Sequence, residues 1–234
     1  MDSFTDPRSL QGPLPAYRAK LAGGDLAPDA AQELAAERLQ DLWAKLRGYD
    51  PPPRPAQNGV LSRLLRRRPV EEAGVDRPNG LYLVGEVGRG KSMLMDLFFA
   101  AAAVPRKRRI HFHRFMQDVH ARIHRWKRAQ PDGADPIPPL ADAIAGEAAL
   151  LCFDEFQVND IADAMILGRL FQALFERGVV VVATSNTLPD DLFKGQPGRD
   201  AFLPFIALIN ERLDVLVLET GRDFRRARLR GLPT

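Results

Sequence analysis

From Gly80 onward, short apolar runs alternate with longer stretches whose apolar residues recur every three or four positions. The runs Gly80–Val84, Arg109–His113, Ala149–Phe153, Val179–Thr184 and Leu213–Leu218 read as five strands. Several are apolar without interruption, as suits strands buried on both faces of a parallel sheet. Helices fill the gaps. The segment Ile161 to Arg177 sets Ile161, Ala164, Met165, Phe171, Leu174 and Phe175 at helical spacing, with Asp160 as N-cap and Gly178 as C-terminal stop. Strands alternating with helices predict an α/β fold built on a parallel sheet. Ahead of it, Ala31, Ala35, Leu39, Leu42 and Leu46 mark one amphipathic helix over 28–48, closed by Gly48. Between helix and sheet, Tyr49 to Pro78 holds Pro51, Pro52, Pro53, Pro55 and Pro69 with a basic patch at Arg63, Arg66, Arg67 and Arg68. It reads as a solvated linker with one short helical piece around Leu61 to Arg67. The expected organisation is a helical segment (1–50), a Pro/Arg-rich linker (51–79), a core (80–220) and a short remainder (221–234).

Composition narrows the class. With 45% hydrophobic and 27% charged residues in 234, the chain can bury a core, which excludes wholesale disorder. The longest apolar stretches, Leu97 to Val104 and Val179 to Ala183, fall short of the roughly 20 residues that cross a bilayer. The N-terminus has neither the basic nor the apolar region of a secretory signal, so a cytoplasmic, reducing location is expected. The single cysteine, Cys152, leaves no internal disulfide and no multi-cysteine zinc site. A net charge of +3 on 33 basic and 30 acidic side chains does not by itself argue for nucleic acid.

The first strand leads into Gly85-Glu86-Val87-Gly88-Arg89-Gly90-Lys91-Ser92, a full G-x-x-x-x-G-K-[ST] match, and then into a helix beginning at Met93. Strand before and helix after are the context in which this pattern binds nucleotide. Its glycines let successive N–H groups turn inward, and the helix N-terminus adds a positive dipole end, which together cradle phosphates. Lys91 is placed to meet the β- and γ-phosphates of ATP, and Ser92 to set its hydroxyl on Mg2+.

Hydrolysis requires an acidic element at the carboxyl end of another strand. Ala149-Leu150-Leu151-Cys152-Phe153-Asp154-Glu155 supplies two carboxylates, which strand alternation points in different directions. Asp154 suits support of the metal and Glu155 polarisation of the attacking water. A third strand, Val179 to Ser185, ends in Asn186, whose amide can sit between the γ-phosphate and that water.

These three strand ends resemble the AAA+ branch of P-loop ATPases. More narrowly, His111-Phe112-His113-Arg114-Phe115-Met116, Leu151-Cys152-Phe153-Asp154-Glu155-Phe156, Ala183-Thr184-Ser185-Asn186 and Phe202-Leu203-Pro204 resemble the ZapE cell-division ATPases and their mitochondrial Afg-one-like, lactation-elevated relatives. The resemblance implies a P-loop NTPase of AAA+ type with five parallel strands and an N-terminal helical extension. It implies Gly85 to Met93 as nucleotide loop, Ser92 and Asp154 at Mg2+, and Lys91, Glu155 and Asn186 as hydrolytic residues. Arg199 falls where such ATPases carry an arginine that reaches a neighbouring subunit, with Arg212 as competitor. Asp29 and Gln32 match a short family pattern beside the adenine. The implied partner is a protein, the tubulin-like division protein in bacteria, remodelled by a nucleotide-dependent homo-oligomer at the division site or the inner-membrane periphery.

His111 and His113 are expected on one strand face, and His120 and His124 one helical turn apart. Without the Glu of H-E-x-x-H, and with Phe115, Val119, Ile123 and Trp126 forming a core stripe, zinc is not favoured. An aromatic and basic element facing the substrate is the functional expectation for this block. A nucleic-acid-dependent ATPase such as a helicase loader is the alternative function, motivated by Arg106-Lys107-Arg108-Arg109 and by Arg222, Arg225, Arg226, Arg228 and Arg230. AAA+ enzymes follow the fifth strand with a helical lid, of which residues 221–234 would hold only the start, so weak hydrolysis and assembly are expected.

Overall fold

A computed structural model of the chain describes residues 11–51, 77–130, 133–158 and 160–219. The interior of the linker with its helical piece at 61–67, the arginines after 221 and the expected lid entry lie outside them. Five parallel strands form one sheet: β1 (Gly80–Val84), β2 (Lys107–His111), β3 (Leu150–Asp154), β4 (Val180–Ser185) and β5 (Leu213–Val217). Their order is β2-β3-β4-β1-β5. The helices are α1 (Pro13–Ala22), α2 (Ala30–Lys45), α3 (Lys91–Ala101), α4 (Phe112–Ala129), α5 (Ile137–Glu147), α6 (Ile161–Glu176) and α7 (Arg199–Arg212).

The sheet has a core on each face because its central strands alternate between two apolar sets. Tyr82, Val84, Leu151, Phe153, Val181 and Ala183 enter one core with residues of α4, α5, α6 and α7. Leu81, Leu83, Leu150, Cys152, Val180 and Val182 enter the other, with residues of α1, α2 and α3. All five positions of β1 and of β3, and all six of β4, are buried. Uninterrupted apolar runs therefore report burial on two faces. Burial also pushes the Cys152 thiol well above its ordinary pKa, so it packs as a small apolar side chain.

Four strands fall within one residue of their expected limits. The second does not. β2 runs Lys107–His111, two residues earlier than expected, because Phe112 already starts α4. Phe112, Phe115, Met116, Val119 and Ile123 are buried at helical spacing, and this stripe draws the His-Phe-His segment into the helix. His113 therefore lies on α4 and not on a strand face with His111. The aromatic residues of the block face the core rather than a substrate.

Gly80 shows how tightly the sheet is closed. A Cβ there would come within 1.8 Å of the Val181 carbonyl oxygen and 2.5 Å of Leu213 Cδ2. Backbone cannot yield as a flexible side chain does. Gly80→Ala is expected to cost about 3 kcal/mol, at the upper end of overpacking effects, read as a lowered urea midpoint with unchanged slope.

Candidate nucleotide site

The site gathers at the carboxyl ends of β1, β3 and β4. β1 delivers the chain into the loop at Gly85, which is packed so closely that a Cβ would meet Leu218 Cβ at 3.1 Å and its carbonyl oxygen at 3.2 Å. Gly88 and Gly90 take left-handed backbone, with φ of 84° and 81°. L side chains are strained there, and the curl brings the chain back into α3, whose N-cap is Gly90. Val87 stands 91% exposed at the tip. Lys91 folds back over the loop, its Nζ donating to the carbonyl oxygens of Gly85 at 2.5 Å and Glu86 at 2.8 Å. Burial lowers its pKa, and the charge of Glu155 pushes the other way. Ser92 and Glu86 are exposed, and Met93 is half-buried against the α2–α3 core.

The start of α2 is bound into this loop. Asp29 caps α2 by accepting from Ala31 N–H at 2.9 Å and Gln32 N–H at 3.2 Å. Its other oxygen accepts from Arg89 Nη2 at 3.1 Å, while Arg89 Nε donates to the Leu218 carbonyl at 3.0 Å. Gln32 Nε2 donates to the Arg89 carbonyl at 3.3 Å, and Gln32 Oε1 is buried without a hydrogen-bond partner. One arginine thus joins α2, the Gly85–Ser92 loop and the end of β5.

Asp154 and Glu155 separate as expected, by a different device. β3 ends at Asp154, which is buried, and Glu155 turns to φ 54°, a left-handed conformation uncommon outside glycine. The Glu155 N–H donates to Thr184 Oγ1 at 3.2 Å, and the Phe156 N–H to the Thr184 carbonyl at 2.7 Å. The reversal of backbone hand sends Glu155 outward into solvent.

Asp154 has a partner that the sequence did not disclose. Arg109 of β2 donates from Nε to Oδ2 at 2.7 Å and from Nη2 to Oδ1 at 3.1 Å, and its Nη1 bonds Asp96 of α3. Burial works against the guanidinium charge, but hydrogen bonds and the charges of the two aspartates outweigh it and hold Arg109 above its ordinary pKa.

Asn186, exposed just past β4, accepts through Oδ1 from Gln157 Nε2 at 3.2 Å and Thr187 Oγ1 at 3.0 Å. Both line a cleft of about 380 Å³ that continues along Asp191, Phe193 and Lys194. Arg199 opens α7, half-buried, with Nη2 donating to the Asp190 carbonyl at 2.6 Å. Arg212 sits at the opposite end of the sheet, in the small cavity beside Gly80 and Val180. His111, His113, His120 and His124 are all exposed, and His120 Nε2 lies 2.5 Å from Asp163 Oδ1. Among the described residues no cluster of three His, Cys, Asp or Glu could hold a metal. A site that completes its shell with phosphate oxygens and water does not require one. Ser92 and Asp154 offer the hard oxygen donors that suit Mg2+, and Asp96, one turn beyond Ser92, is linked to Asp154 through Arg109.

The model of the AFG1-like ATPase family matches residues 12–234. The chain belongs to this family. It is 53% identical over 155 residues to lactation elevated protein 1 homolog B of Danio rerio, covering 63% of this chain and 31% of that protein. It is 41% identical over 214 residues to cell division protein ZapE of Escherichia coli K12, covering 91% of this chain and 56% of that protein. The chain thus spans roughly a third to a half of the AFG1-like relatives it matches. In fold it resembles AMPPCP-bound DnaA from Aquifex aeolicus, with a TM-score of 0.51 and 15% identity over 94% of this chain and 52% of that one. The fold of this AFG1-like chain is that of the P-loop AAA+ proteins.

Proposed function

We propose that this chain binds ATP with Mg2+ and hydrolyses it, and that hydrolysis drives the remodelling of a protein partner by a homo-oligomer. The observation that carries the reading is Lys91 folded over its loop within the electrostatic reach of Glu155, which a left-handed backbone turns out of β3. Lys91 would bind the β- and γ-phosphates, Gly85 to Met93 would cradle them, and Ser92 and Asp154 would hold the metal. Glu155 would polarise water under the eye of Asn186. The free Gln32 Oε1 beside Gly90 supports contact with the adenine amino group, since a buried acceptor gains most from a donor. The ZapE relative's name supports a partner in cell division, for which the tubulin-like division protein is the candidate, and a cytoplasmic place of action at the division site or the membrane periphery. Among the described residues no helix is long and apolar enough to cross a membrane.

Arg199 supplies the test of assembly. In one chain it is tied to Asp190, and in an oligomer it would leave that carbonyl for the neighbour's γ-phosphate. ATP turnover per chain is expected to rise with protein concentration, and Arg199→Ala to abolish the rise and lower the plateau roughly 10³-fold. Concentration-independent turnover, or an unaffected Arg199→Ala, would sink the trans-acting site. Salt-sensitive stimulation by DNA or RNA would favour the nucleic-acid reading instead.

A further inference from the structure

Arg109 and Cys152 are register partners in the β2–β3 ladder, so their side chains share a face, and Asp154 lies two residues beyond Cys152 on that same face. Helix α3 packs there too, and it carries Asp96 one turn after Ser92. The guanidinium is thus enclosed by two carboxylates of opposite character. Asp154 is nearly buried, with 12% of its side chain exposed, whereas Asp96 is 64% exposed. A buried carboxylate is costly without a counter-charge, and Arg109 supplies one through two N–H groups spread over both oxygens. A divalent cation seated between Ser92 and Asp154 would supply the same charge twice over, and it would meet the positive guanidinium at close range. Both cations call on the same carboxylate, and only the arginine already holds a second one, Asp96.

We infer that Arg109, which bonds Asp96 through Nη1, is also the counter-ion of Asp154 in the metal-free state, and that it releases Asp154 and keeps Asp96 when the divalent cation enters. This rests on the Ser92–Asp154 metal reading above and deepens it. The exchange makes metal entry a swap of partners, in which Asp154 is never left buried without a cation and Arg109 never faces the metal unpaired. No bond is made or broken except hydrogen bonds. Asp96 is then neither a ligand nor a bystander; it is the acceptor that keeps the displaced charge inside the site. Its exposure suits that role, because an exposed carboxylate gives up little hydration in holding a cation.

The experiment titrates MgCl2 against the binding of a fluorescent ATP analogue, with thermal melting in parallel, so that no step depends on turnover. Arg109→Gln removes the competitor and is expected to shift the Mg2+ midpoint down about tenfold, within the usual span of site-to-site coupling. The same variant should melt lower than the parent in EDTA and regain the difference with Mg2+ and nucleotide. Asp96→Asn leaves the Arg109–Asp154 fork in place but removes the retaining carboxylate, so its midpoint should move up by a similar factor. That exposed position also guards against a variant that merely fails to fold. If Arg109→Gln raises the midpoint or leaves it unchanged while the parent is Mg2+-dependent, the exchange is overturned and Arg109 stays on Asp154 as a fixed positioning residue. A parent whose nucleotide binding ignores Mg2+ altogether would overturn both the metal reading and the exchange built on it.

Discussion

Glu155→Gln is expected to keep nucleotide binding close to that of the parent while lowering ATP turnover about a thousandfold, the range of a lost general base. The amide preserves the size of the side chain and leaves untouched the backbone that positions it. Glu155 N–H still reaches Thr184 Oγ1 at 3.2 Å, and φ of 54° is set by the chain around it, not by the carboxylate. What is lost is a negative charge able to polarise water. Lys91→Ala should fail differently, because Nζ is the cation proposed to meet the β- and γ-phosphates, and its removal weakens binding as well as hydrolysis. Fluorescent-nucleotide titration beside phosphate release separates the two. The electrostatic link between Glu155 and Lys91 gives a further check. Neutralising Glu155 removes the charge that supports protonated Lys91, so the lysine pKa falls further and its alkaline titration begins at lower pH than in the parent. Unchanged turnover in Glu155→Gln would refute the assignment.

The conformation of the Gly85–Ser92 loop was legible because all its parts are contiguous: a strand, a glycine curl and a helix start within one short segment. The same holds for Asp154-Glu155 and Asn186, which end apolar runs whose burial on two faces is written in their composition. What escaped depends on which strands are neighbours. Arg109 reads as one of four consecutive basic residues, and only the pairing of β2 with β3 turns it toward Asp154. Asp29 and Gln32 stand out only through the family resemblance, since their own pattern reads as well as an exposed helix face, and the docking of α2 on Arg89 is what the sequence does not carry. The misplaced second strand has another cause. His111-Phe112-His113 alternates like a strand and Phe112, Phe115, Met116 and Val119 recur like a helix, so two periods overlap where one element becomes the next. The longer pattern, with more buried area behind it, decides the outcome.

Phe156→Ala is expected to cost about 4 kcal/mol, in the range for a fully buried aromatic cut to a methyl, and to lower the melting temperature by about 10 °C. Its ring is 0% exposed and touches five others: Tyr82, Phe112, Phe153, Phe171 and Phe205, with centroids 4.1 to 6.3 Å away. Those rings come from β1, β3, α4, α6 and α7, so a cavity at this point is walled by five elements and cannot collapse around one flexible neighbour. The residue also carries a functional consequence. Its N–H is held by the Thr184 carbonyl at 2.7 Å, and its own carbonyl accepts from Ser185 Oγ at 2.8 Å. The anchored ring therefore fixes the far side of the turn in which Glu155 reverses hand. Phe156→Leu refills part of the cavity and should recover about half of the lost stability. In the folded fraction of either variant, turnover is expected to fall more than nucleotide affinity, because the Gly85–Ser92 loop belongs to β1 and α3 while Phe156 secures Glu155, the proposed water-polarising acid. Equal losses in both would place the damage in the fold as a whole and deny Phe156 its hold on Glu155.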